Sequence, residues 1–133
     1  MIVPVTAVFA AVTGLLLLVL SAQVVKYRLK YRKGLGVNED PEFEAAVRAH
    51  ANLVEYAPLG LIMLAIAELN GVSGSLIYWT GMALVVGRIL HAWGMINGKG
   101  GPHWARMIGI LLTWLAILVA ALLLFWNVWQ VYG

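Results

Sequence analysis

Four stretches of this chain, residues 2–22, 46–69, 76–96 and 104–129, are apolar runs long enough to cross about 30 Å of hydrocarbon as helices. The first carries no charged residue at all. Runs of this kind leave few folds open. A backbone in lipid must satisfy its own N–H and C=O groups, and only helices and closed barrels do so. Helices are the form that runs of about twenty apolar residues take, so the expectation is an all-α integral membrane four-helix bundle in a single domain over residues 1–133. Composition argues against a soluble bundle: 62% of the 133 residues are hydrophobic and 11% charged, whereas soluble domains carry about a quarter charged.

The connections set the topology. Residues 23–45 read as a long charged loop, basic first (Lys26, Arg28, Lys30, Arg32, Lys33) and then acidic (Glu39, Asp40, Glu42, Glu44). The runs "NGVSGS" (70–75) and "NGKGGPH" (97–103) are Gly-rich turns, which force antiparallel neighbours. No Lys or Arg precedes the first span and the basic cluster follows it, the reverse of a cleaved signal peptide. Basic residues lie in the first and third connections and none lies in the second or at either end. The positive-inside rule therefore places both termini outside, periplasmic in a bacterial inner membrane. A basic tract directly after an apolar helix marks a lipid-facing flank rather than a nucleic-acid site.

The polar residues inside the spans carry the functional signal. With about 100° per residue, Arg48, Asn52 and Glu55 fall within roughly 60° of one another on one helix face, with Tyr56 at its border. Arg88 and His91 share a face of the third span, Arg106 opens the fourth, and Arg28 follows the first. Charges placed in lipid cost from a few to more than ten kcal/mol by differing estimates, so these groups must face protein, water or a ligand. Two readings stay open: the charges pair with one another and glue the helices, or they hold a ligand. Four arginines against one Glu55 leave surplus positive charge, which suits a compact ligand with two carboxylates and one ammonium. In that reading arginines grip the carboxylates in bidentate fashion, and Glu55 with Asn52 receives the ammonium. His50 and His91 lack helical i, i+4 partners, so no metal or haem is expected; His50 lies off the stripe, His103 is expected to be exposed, and Glu68 is expected to be solvated or interfacial. Pro58 is expected to kink the second span. With no cysteine in the chain, any thiol chemistry needs a sulfur brought by a small molecule.

The run "PEFEAAVRAHANLVEYAPL" (41–59) resembles the signature of the MAPEG family, the membrane-associated proteins in eicosanoid and glutathione metabolism. "GRILHAWG" (87–94) and an arginine opening the fourth span extend the resemblance, which is strongest to the family's small bacterial branch and to microsomal glutathione transferases. The resemblance implies a homotrimer with glutathione, as cosubstrate, bound between neighbouring subunits near the cytoplasmic side. It implies that Arg28, Arg48, Asn52, Glu55, Tyr56, Arg88 and His91 bind glutathione and that Arg106 is catalytic, stabilising the thiolate. The function so implied is conjugation of glutathione to lipophilic electrophiles, or reduction of lipid hydroperoxides, in detoxification. The alternative is a non-enzymatic protein of the same fold that binds an anionic lipid or an acidic metabolite. A small cation exporter relying on Glu55 fits less well, since Arg48 and Arg88 would repel its cargo. Met95, Ala51 and Met107 stand where eicosanoid synthases of the family carry tyrosine, arginine and serine, which sets the chain apart from eicosanoid synthesis.

Overall fold

The computed structural model describes all 133 residues as four helices: α1 (Pro4–Tyr31), α2 (Pro41–Leu69), α3 (Gly74–Asn97) and α4 (Trp104–Tyr132). All four are long and apolar enough to cross a membrane. α2 and α3 form the middle of the bundle. α1 packs on both of them and α4 packs on both from the far side, and α1 and α4 do not touch.

Two helices are longer than the apolar runs suggest. The charged segment after residue 22 is not a loop: α1 continues through Tyr31, α2 already begins at Pro41, and only residues 32–40 connect them. Lys, Arg and Leu are good helix formers, and Arg28 and Lys30 in the last turn of α1 complement the negative end of its dipole. Arg32 then stops the helix in a left-handed conformation (φ 52°). Asp40 restarts the chain as an N-cap, its carboxylate accepting from the Glu42 and Phe43 N–H groups at 2.9 and 3.4 Å, with Pro41 directly inside the helix. The two extensions hold each other. The Tyr27 and Tyr31 rings lie 5.3 and 5.8 Å from the Phe43 ring, and the Tyr31 hydroxyl donates to Asp40 at 2.5 Å.

The buried face of α2 reads Ala45, Ala49, Leu53, Ala57, Gly60, Leu64, Ala67, a run of three- and four-residue steps. Small residues there let neighbouring helices approach. One apolar cluster (Leu20, Ala49, Leu53, Ala92, Met95) fills the end where α1 meets α2, and a second (Leu64, Ile77, Leu84, Ala116, Ala120) fills the other end. The tightest crossing joins α3 to α4. A Cβ on Gly87 would stand 2.8 Å from the Gly109 carbonyl, and one on Gly109 would stand 2.6 Å from that of Gly87. α2 remains one helix through Pro58, whose side is exposed.

Two polar side chains cap helix ends, and one of them, His103, is less exposed than expected. Glu68, at the end of α2, accepts from the Val5 and Thr6 N–H groups at 2.9 and 2.8 Å. α1 has no side-chain cap of its own, so a carboxylate from another helix satisfies its first free donors and complements its dipole. His103 is half-buried and caps α4, its Nδ1 accepting from the Ala105 N–H at 3.2 Å.

Candidate functional site

The polar stripe of α2, the last turns of α3 and the first turn of α4 meet at the end of the bundle that holds the 98–103 turn. Between them lies a groove of about 890 Å³ lined by Asn52, Tyr56, His91, Arg106, Met107 and the turn itself. A narrower polar recess of about 290 Å³ adjoins it, adding Glu44, Arg48, Met95 and Lys99 and sharing Asn52, His91, Gly100 and Arg106 with it. Volumes of a few hundred to a thousand Å³ suit small-molecule ligands.

Arg88 lies beneath this groove and is 2% exposed. No carboxylate pairs with it. Its Nε donates to the Thr113 hydroxyl at 2.8 Å, its Nη1 to the Asn52 backbone carbonyl at 3.5 Å and to the Asn52 side-chain oxygen, and its Nη2 finds no partner. The guanidinium lies 5.0 Å from the centre of the Tyr56 ring, a cation–π geometry. The arrangement shares hydrogen bonds with the cation but does not neutralise it. It also fixes the role of Asn52: the side-chain oxygen faces Arg88, so the amide offers a donor, not an acceptor, to the groove. Asn52 is therefore not placed to receive an ammonium group.

The other predicted residues divide. Arg48 and Glu55 form an ion pair at 3.7 Å, each side chain about half exposed (51% and 50%), and such a pair contributes little to stability. Glu55 turns toward a separate apolar groove of about 500 Å³, lined with Tyr56, Leu59, Trp114 and Leu118; Tyr56 belongs to both grooves. Arg106 lines the polar groove while its Nη1 donates to the Gly100 and Gly101 carbonyls at 2.7 and 3.3 Å. Of the predicted residues, Glu55, Arg88 and Arg28 do not line the polar groove or its recess; the Arg28 guanidinium lies 4.9 Å over the Phe43 ring and bonds the Gly36 carbonyl at 2.7 Å. His50 lines neither cavity.

Two contributors escaped the sequence reading. Thr113 sits mid-way along the apolar run of α4, with no local pattern pointing to Arg88. Lys99 pairs with Glu42 at 3.0 Å and so pins the turn that walls the groove to the start of α2.

Four long apolar helices with a polar groove at one end of the bundle define an α-helical membrane protein. The chain belongs to the MAPEG family, whose model matches residues 6–126. It is also 32% identical over 127 residues, 95% of each chain, to the inner membrane protein YecN of Escherichia coli strain K12, and equally so to YecN of E. coli O6:H1.

Proposed function

We propose that this protein is a glutathione transferase- or peroxidase-like enzyme of the bacterial inner membrane, acting as a homotrimer on lipophilic substrates. The observation that carries the reading is Arg88: a buried guanidinium without a carboxylate, beside a groove that also holds Arg48 and Arg106. An acidic tripeptide suits that charge. Arg48 and the Asn52 amide donate to its carboxylates, and Glu55, released from Arg48, takes its ammonium. Positive charge from Arg106, once it leaves the turn carbonyls, favours the thiolate. The sulfur then bonds an electrophilic carbon while the leaving group departs with its electron pair. A hydroperoxide instead consumes two thiols, giving an alcohol, water and the disulfide. The Trp114 groove, joined to the polar one through Tyr56, offers the apolar reactant a route from the bilayer. A trimer completes the set if Arg28 reaches the groove of a neighbouring subunit. The name of the relative supports the inner membrane, and the basic end of α1 supports a cytoplasmic site with both termini periplasmic.

The same apolar groove supports a second reading, in which an anionic lipid places its headgroup by the arginines and its chains along Trp114. Calorimetry on purified protein separates the two. Glutathione binding that Arg48→Ala weakens about tenfold, with thiolate absorbance appearing on addition, supports the enzyme. Absence of both, with a phospholipid retained in native mass spectra, overturns it in favour of the lipid.

A further inference from the structure

Arg88 raises a question that the ligand reading alone leaves open. A guanidinium this deeply buried is normally paired with a carboxylate, and this one is not. Its best-placed partner is the hydroxyl of Thr113, itself fully buried, at 2.8 Å from Nε. The direction of that hydrogen bond is fixed from the far side. Thr113 gives its one proton to the Gly109 carbonyl at 2.8 Å, so only its lone pairs face Arg88. The backbone is shaped for the contact: a Cβ on Gly87 would stand 2.8 Å from the Thr113 hydroxyl oxygen. Gly87 therefore lets α4 come close enough for Thr113 to reach the arginine on the next residue of α3.

We propose that Thr113 is a positioning residue that orients Arg88 through a neutral hydrogen bond and so preserves its positive charge for the carboxylate of an acidic ligand in the adjoining groove. An acidic side chain at this position would hold Arg88 equally well but cancel its charge. An apolar one would preserve the charge but free the fork to rotate about its stem and drag Asn52, bonded to Nη1, out of place. Threonine satisfies both requirements. The proposal rests on the reading of the groove as a site for an acidic ligand.

The test uses full-length protein in detergent, with calorimetry of glutathione and of its two monoesters, each lacking one carboxylate charge. Thr113→Ser, which keeps the hydroxyl, should bind glutathione within about twofold of wild type. Thr113→Val should bind about tenfold more weakly, as expected for disturbing a hydrogen bond to a charged group, and Thr113→Asp at least as weakly. For one of the two monoesters the valine penalty should vanish, because the carboxylate that Arg88 serves is already gone. Equal penalties for glutathione and both monoesters, or a serine variant as weak as valine, would reduce Thr113 to packing and overturn the proposal. Wild-type affinity in Thr113→Val would overturn it as well. Failure of wild type itself to bind glutathione would instead overturn the ligand reading, and this inference with it.

Discussion

At the scale of single residues, Arg88 shows how a binding requirement and a stability requirement pull apart. Replacing a buried ion pair by apolar residues of similar volume is often neutral or stabilising by about 1–4 kcal/mol, and a buried guanidinium without a carboxylate bears the desolvation cost with no Coulombic repayment. Arg88→Met should follow that rule. Thr113 keeps its bond to the Gly109 carbonyl, and half-exposed Asn52 can turn its oxygen to water, so little is left unsatisfied. The expected outcome is an unfolding free energy equal to or above wild type, read by thermal melting in detergent. Calorimetry should show glutathione affinity reduced tenfold or more. A strongly destabilised Arg88→Met would mean that the arginine holds the helices together, the gluing role that the sequence left open. Residues of this kind were only half legible. Spacing placed Arg48, Asn52 and Glu55 on one face because their relation is local. The partners of Glu68 lie 62 and 63 residues away, and Thr113 lies 25 residues from Arg88, distances that no helical period reports.

At the scale of elements, the four helices were legible because lipid forces long apolar runs, but their ends were not. The charged residues 23–45 read as loop, although the cap signal Asp40-Pro41 stands in the sequence and marks the start of α2. The joint between α1 and α2 makes a pH prediction. The Tyr31 hydroxyl, with the Glu42 and Phe43 N–H groups, holds the Asp40 carboxyl below its ordinary 3.8. A carboxyl with a lowered folded pKa stabilises the fold at any pH above its unfolded value, and that stabilisation is lost as pH falls through the folded one. Lys99 behaves in the opposite sense: Glu42 raises it above 10.5, so its contribution holds below the unfolded value and is lost as pH rises through the folded one. The joint and the groove turn should therefore be insensitive between about pH 5 and about pH 8. Amide protection of Glu42 and Phe43, corrected for intrinsic exchange, should stay flat across that window. It should drop only in stronger acid, and Asp40→Asn should abolish the acid transition.

At the scale of the whole molecule, the single chain leaves most of its surface uncovered. Only 28 of its 133 residues are buried, so most of its apolar surface needs lipid or other copies of the chain. Within the protomer α1 never meets α4, and Arg28 sits on α1 against Phe43 while the groove opens between α2, α3 and α4. If Arg28 serves the ligand, it serves a neighbour's groove. That geometry predicts complementation. In the proposed trimer, Arg28→Ala should lose glutathione affinity at every site, and so should Arg48→Ala. When the two variants are co-expressed and co-assembled, some interfaces join an intact Arg28 from one chain to an intact Arg48 from the next. Calorimetry of the mixed trimers should then recover a fraction of sites with wild-type affinity, while separately purified variants mixed after assembly recover none. A groove served wholly from within one chain cannot produce this result, because each chain in the mixture still carries one defect. Recovery absent from co-assembled trimers would place Arg28 and Arg48 in the site of one chain, and wild-type affinity in Arg28→Ala alone would remove Arg28 from the site.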